Sequence, residues 1–232
     1  MISVCLATYN GGKYIREQLD SILCQLSEHD ELIISDDGSC DDTIDIISSY
    51  QDERIILLNN KGKHGFVWNF ENALRYAKGD IIFLSDQDDI WMTNKVEKVL
   101  ERIEQYDLIV HDAEIINGDG KIMGKTYYST THKGTSFLAN LWKTRWLGCC
   151  MAFTREVLDA SLPFPPKIVA HDYWIGMFAM RKFKYCFIND KLIYYRRHNN
   201  NTSSSGEKSK HSVWYKIFTK RLYIIKAILS RH

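Results

Sequence analysis

Between Ile2 and Asp112, five short apolar runs alternate with four stretches of helical periodicity. The runs are ISVCLAT, ELIISDD, RIILLNN, DIIFLSD and DLIVHD, each of strand length. KYIREQLDSILCQL sets Ile15, Leu19, Ile22, Leu23 and Leu26 on one helical face. DDTIDIISSY reads as a short helix that Asp41 or Asp42 can cap. GFVWNFENALRYAKG reads as a helix that stops at Gly79, and TNKVEKVLERIEQY as one starting near Thr93. This alternation predicts an α/β fold, a mainly parallel sheet covered by helices on both faces.

Acids cluster where the predicted strands end. The run IIFLSDQDDIW carries Asp86, Asp88 and Asp89 directly after apolar positions, and SDD and VHDAE end two other runs in the same way. Like charges that close repel one another, and removing them from water costs free energy. A turn followed by a helix N-terminus accounts for one such cluster, because acids favour that end of the helix dipole. It does not account for several clusters on one rim. In open α/β sheets that rim, beyond the carboxyl ends of the strands, is where ligands bind.

Composition narrows the classes. The 232 residues carry a formal net charge of +1, with 45% hydrophobic and 25% charged residues, so the chain has material for a sizeable core and no general surface for nucleic acid. The start, MISVCLATYNGG, lacks the basic region of a signal peptide. No window approaches the roughly 20 apolar residues of a membrane-spanning helix. A cytoplasmic protein is expected. Cys5, Cys24, Cys40, Cys149, Cys150 and Cys186 contain no CxxC pair, so reduced and mostly buried thiols are expected.

The pattern changes after about residue 111. NGDG (117–120) reads as a turn between two extended pieces, and LGCCMAFTREVLDA as a strand and a helix. HDYWIGMFAMRKF reads as an apolar helix opened by acid, and KYCFIND and LIYYRRH as two strands. NNNTSSSGEKS is polar and of low complexity. In the tail, Trp214, Ile217, Phe218, Leu222, Ile225, Ile228 and Leu229 share a helical face, with Arg221 inside it and Lys216, Lys220, Lys226 and Arg231 opposite. That is the pattern of a helix lying in a membrane interface, the favoured reading, with a helix packed on the domain or in a dimer as the alternative.

SVCLATYNGGKYIREQLDSILCQ, IISDDGSCDDT, GDIIFLSDQDDIW, HDYW and YRRHNNN, in this order, resemble family 2 glycosyltransferases of the GT-A fold, notably rhamnosyltransferase-like bacterial members that build O-antigen and capsule. The resemblance covers roughly residues 1–205. It implies a Rossmann-like nucleotide-sugar-binding sheet over residues 1–110 and an acceptor and catalytic-base half over 111–205, which leaves residues 206–232 as the basic amphipathic, membrane-associating tail. It further implies an inverting transfer of sugar from a nucleotide diphosphate donor, dTDP-rhamnose or a UDP-hexose, with Mn or Mg as cofactor. The expected acceptor is a saccharide, such as one linked to undecaprenyl diphosphate, met at the inner face of the plasma membrane.

The resemblance also assigns roles. Asp86-Gln87-Asp88 matches the DxD motif, in which Asp88 binds the metal and Asp86 reaches the ribose or the metal, leaving Asp89 to cap the next helix. A hard cation held by carboxylates offsets the charge of the departing diphosphate. Asp37 matches the acid that accepts an N–H of the base, and Thr8, Tyr9 and Asn10 match the loop lining the nucleoside. Asp172 matches the general base and also suits the N-cap of its helix. His198 matches a histidine that completes the metal shell, and Arg196 or Arg197 could meet the diphosphate. Trp142 and Trp146 fall near the acceptor. The rivals are a nucleotidyltransferase that makes the sugar nucleotide, though ATYNGGKY offers a single lysine for a triphosphate, and a non-catalytic sugar- or metal-binding module.

Overall fold

The computed structural model describes residues 1–131, 134–198 and 221–231. Four parallel strands form its N-terminal half: β1 (Ile2–Thr8), β2 (Glu31–Asp36), β3 (Ile55–Asn59) and β4 (Ile81–Asp86). Three helices connect them, α1 (Ile15–Leu23), α2 (Thr43–Ser48) and α3 (Phe66–Tyr76). Val4, Leu6, Ile33, Ile34, Phe83 and Leu84 are fully buried, as strands covered on both faces require. Register brings the strand ends level: Thr8 pairs with Asp36, Asp36 with Asn59, and Ala7 with Asp86.

Beyond β4 the chain adds β5 (Ile90–Trp91), α4 (Lys95–Ile103), β6 (Leu108–Asn117), β7 (Ile122–Thr126), α5 (Tyr127–Thr130) and α6 (Phe137–Trp142). A 3-10 turn at Gly148–Cys150 then leads to β8 (Met151–Thr154), α7 (Arg155–Ser161), α8 (His171–Lys182), β9 (Tyr185–Arg197) and α9 (Leu222–Leu229). Among the described residues one nine-stranded sheet runs β3-β2-β1-β4-β8-β6-β9-β5, with β7 paired to β6. It is mixed rather than mainly parallel. β6 turns back at Asn117–Gly120 into β7, and the returning chain enters β8 antiparallel to both β4 and β6.

Four expectations change. VHDAE does not end its strand: β6 runs on to Asn117, Asp112 accepts the N–H groups of Ala113 and Tyr128, and Glu114 pairs with Lys191. Asp89 caps no helix, because the two-residue β5 follows it and α4 begins only at Lys95. KYCFIND and LIYYRRH form one strand, β9. α3 ends at Tyr76, before Gly79, and Gly79 is needed instead for close approach: a Cβ there would lie 2.6 Å from the Ser3 nitrogen. α9 contacts α8 and buries Ile224, Ala227 and Ile228, as a helix packed on the domain would, while Leu222 and Leu229 stay exposed. The tail residues Trp214, Lys216, Ile217, Phe218 and Lys220 lie outside the described residues.

Candidate active site

The level strand ends open into a cavity of about 1070 Å³. Thr8, Tyr9, Asn10, Asp37, Asp86, Asp88, Asp172 and His198 all line it, so the sequence-predicted residues converge. Three structural layers bring them there: the β1 and β2 ends, the β4–β5 loop, and the α8 start with the β9 end.

At the β1 end Tyr9 is 55% exposed, which rules out a buried packing role and leaves its ring available to a flat ligand. Asn10 sits at φ 49°, its carbonyl-type side-chain oxygen accepting the Cys40 N–H at 2.8 Å. Asp37 faces the cavity and already accepts the Gly65 N–H at 2.7 Å and the Asn60 amide at 2.8 Å, and it lies 3.0 Å from His64 Nδ1. Asp36 is buried and turned inward onto the N–H groups of Gly38 and Ser39. Gln87, which sequence reasoning treated as a spacer, is a clamp: its side-chain oxygen accepts Thr8 Oγ1 at 2.7 Å and the Tyr9 N–H at 2.8 Å, and its amide donates to the Tyr9 carbonyl at 3.1 Å.

The acids of the β4–β5 loop are held from the far end of the chain. Asp88 Oδ2 is 2.9 Å from His198 Nε2, and the His198 ring stacks on Tyr14 with centroids 4.9 Å apart. Arg196 is the buried cation of the YYRRH run: it donates from its backbone to Asp89 Oδ1 at 2.9 Å and from Nε to the Asp88 carbonyl at 2.8 Å. Arg197 is exposed. Desolvation pushes the Asp86 carboxyl up to about 7, with the charges of Asp88 and Asp172 adding to it. Burial likewise raises Asp88, offset by His198, and raises Asp89 well above the usual carboxylate range. Behind them Lys95 is fully buried, donates to the Cys149 carbonyl at 2.8 Å, lies over the Trp91 ring at 4.1 Å, and is pushed down to about 8 by burial. No sequence motif marked this lysine, because helical periodicity does not distinguish a buried lysine from a surface one.

The Asp86 and Asp89 carboxylates fit a hard divalent cation, whereas Asp88 and His198, expected as ligands, fall outside the group of donor atoms that come together. Donor atoms of Asp86, Asp89 and Cys149 lie within 4.8 Å of one another, and Asp89 Oδ2 is buried without a hydrogen-bond partner among the described residues. Three crowded carboxylates with raised affinity for protons have the same electrostatic appetite for a metal. Cys149 belongs to the wall: it is fully buried, and burial raises its thiol well above its usual range.

Asp172 does not occupy the N-cap of α8, which is Ala170. It sits in the first turn, where its carboxylate accepts the Tyr173 N–H at 2.7 Å and is also held by the Gly148 N–H. Burial pushes it up to about 6. A carboxylate so placed is ionised at neutral pH yet basic enough to take a proton. His171 is buried beside it, stacked on Phe70 with centroids 3.9 Å apart and kept neutral by burial, its pKa near 3. Neither of the tryptophans expected near the acceptor lines the cavity. Trp146 is buried against Phe187 and Trp142 is exposed elsewhere, while Leu147 and Gly148 line the cavity in their place.

The family model described as Glycosyl transferase family 2 matches residues 3–162. An uncharacterized glycosyltransferase of Nostoc sp. is 27% identical over 177 residues, covering 71% of this chain and 54% of that protein. The Escherichia coli UDP-Glc:alpha-D-GlcNAc-diphosphoundecaprenol beta-1,3-glucosyltransferase WfgD is 31% identical over 182 residues, covering 76% of this chain and 68% of that protein. The crystal structure of S. aureus TarS 1-349 in complex with UDP-GlcNAc aligns with a TM-score of 0.76 at 21% identity, covering 99% of this chain and 67% of that one, a likeness of fold. The chain thus spans little more than half of the Nostoc protein's length and about two thirds of the other two. Asp172 and His198 lie beyond the residues that the family model matches, whereas the four parallel strands and their acidic ends lie within them. On that match the chain belongs to glycosyl transferase family 2.

Proposed function

We propose that the protein is a metal-dependent, inverting glycosyltransferase that moves a sugar from a nucleoside diphosphate donor to a saccharide acceptor in bacterial surface polysaccharide synthesis. One observation carries the reading: a single cavity is lined by the acids Asp86 and Asp88, by Tyr9 and Asp37 at the β1 and β2 ends, and by a separate carboxylate, Asp172. In this reading Tyr9, Asn10 and Thr8 line the nucleoside and Asp37 accepts an N–H from its base. Asp86, Asp88 and His198 would hold Mn or Mg. Bound there, the cation supplies positive charge to the departing diphosphate. Asp172 takes the proton of the acceptor hydroxyl as that oxygen bonds to the anomeric carbon. The bond from that carbon to the diphosphate oxygen breaks on the opposite face, so the configuration inverts.

The donor is read as dTDP-rhamnose or a UDP-hexose, the second favoured because the E. coli relative's name prints UDP-Glc. That name also prints a diphosphoundecaprenol acceptor, which supports a lipid-linked saccharide here. Among the described residues no helix is long and apolar enough to cross a membrane. The location proposed is peripheral, at the cytoplasmic face, with residues 1–110 serving the donor, 111–205 the acceptor and base, and 206–232 the membrane. A nucleotidyltransferase is disfavoured because, among the described residues, Lys13 is the one lysine or arginine lining the cavity. A screen of sugar nucleotides with Mn²⁺ or Mg²⁺ tests the function. Metal-dependent release of one nucleoside diphosphate, lost in Asp88→Asn, is expected. No release together with no metal-dependent nucleotide binding would sink it.

A further inference from the structure

Away from the cavity, large apolar side chains gather on one exposed face. On α6, Leu138 is 74% and Trp142 66% exposed; on α9, Leu222 is 53% and Leu229 58% exposed. The two helices are tied together: the Arg221 guanidinium donates to the carbonyls of Leu141 and Trp142 and lies 4.9 Å from the centre of the Trp142 ring. Between them runs a groove of about 390 Å³ lined by Phe137, Met180, Ile225 and Leu229. α9 spends one side, Ile224, Ala227 and Ile228, on α8, and turns Leu222, Ile225 and Leu229 outward at the spacing of a second helical stripe.

Cations predominate at the rim of this face: Lys143, Arg181, Lys182 and Lys226 are exposed around it, and residues 134–155, 173–189 and 221–231 contain no aspartate or glutamate, the neighbouring exposed acids being Glu156 and Asp159 on α7 and Asp190 on β9. A second copy packed symmetrically would set these cations against themselves, at a cost in repulsion. Residues 199–220 would not neutralise them either, since that segment carries Lys208, Lys210, Lys216 and Lys220 against Glu207 alone. An apolar patch ringed by cations matches one partner, an anionic bilayer that takes the apolar side chains below its headgroups and the ammonium groups at them.

We propose that α6, the C-terminal end of α8 and α9 together form a docking face for an anionic lipid bilayer, with Trp142 and Leu138 as its inserted edge. The membrane contact is then a surface of the folded domain, with the tail as one part of it. Its position relative to chemistry is close: the Tyr173 hydroxyl, one residue from Asp172, donates to the Leu141 carbonyl of α6 at 3.4 Å. The proposal rests on the peripheral-membrane reading, yet it separates from the transferase reading because donor hydrolysis in solution needs no vesicle.

The test is co-sedimentation of the full chain with phosphatidylcholine vesicles with and without phosphatidylglycerol. Binding to the anionic vesicles alone is expected, weakened about tenfold or more by Lys143→Glu with Lys226→Glu, and likewise by Leu138→Ser with Trp142→Ser. All four side chains point to solvent, and an unchanged circular dichroism spectrum serves as the folding control, with donor hydrolysis retained. No binding to either vesicle overturns the proposal. So does binding that both double variants leave intact, and so does a concentration-dependent dimer that the same variants break while vesicles go unbound.

Discussion

At the scale of single residues, the carboxyl group of Asp172 makes the sharpest statement. Burial holds its pKa at about 6, above the usual carboxylate value. The folded protein therefore holds a proton there that the unfolded chain has released between about pH 4 and 6, so the group costs stability as pH rises through that window. Two outcomes follow from one shift. Sugar transfer should rise with pH along a limb centred near 6, measured as kcat/KM, because only the ionised carboxylate accepts a proton. Asp172→Asn should abolish transfer while raising stability in denaturant titration above pH 6, by on the order of 1–2 kcal/mol after screening at this half-buried residue, and the gain should vanish near pH 4. A stability gain independent of pH would remove the burial account. Gln87 is the second case. Gln87→Ala removes three hydrogen bonds to Thr8 and Tyr9, and should raise the donor KM and cost on the order of 1–3 kcal/mol in denaturant titration.

At the scale of elements, the close joint between β1 and the start of β4 depends on the missing side chain of Gly79. A Cβ there would meet Ser3 nitrogen, Ser3 Oγ and Ile2 carbon at 2.6 to 2.8 Å, two of them backbone atoms that cannot swing aside. Arg155 closes the same joint by donating to the carbonyls of Ala77 at 2.9 Å and Gly79 at 3.0 Å. Gly79→Ala should thus lower stability by about 1–3 kcal/mol in chemical denaturation, with no change in the donor KM. The elements themselves show what a sequence carries. β1 to β4 were legible because each is an apolar run bounded by turn residues, and their acids were legible because each ends a run. β9 read as two strands because Asp190 and Lys191 interrupt its apolar character, and pairing with β6 shifts register there, from Phe187 opposite Val110 to Lys191 opposite Asp112, before it resumes. The mixed sheet was not legible, since the insertion of β8 between β4 and β6 depends on partners that no local pattern names. Lys95 escaped, and Arg196 was read toward a diphosphate rather than toward Asp88 and Asp89, for a related reason: each matters through what it touches across the fold.

At the scale of the whole molecule, the site closes the chain on itself. Asp88 and Asp89 come from the middle of the sequence, while Arg196 and His198 reach them from the end of β9. The two contacts differ in kind. Arg196 is 3% exposed, and its guanidinium donates to the Asp88 carbonyl and pairs with Glu17, so loss of the side chain leaves a buried carbonyl unmatched with or without metal, while the backbone N–H stays on Asp89 Oδ1. His198 meets Asp88 at the cavity wall, so its loss should be felt mainly when a cation is there to be shared. A ligand bound only by the folded state stabilises it by about 2.7 kcal/mol at a hundredfold excess over its Kd. Mn²⁺ should accordingly raise the melting temperature of the wild type, and EDTA should reverse the rise. Arg196→Met should melt well below the wild type in EDTA. His198→Ala should melt near the wild type in EDTA and lose most of the Mn²⁺ gain, and Asp88→Asn should lose all of it. Equal melting of the wild type in Mn²⁺ and EDTA would mean that the acid cluster is held by Lys95 and Arg196 alone, and the metal would leave the mechanism.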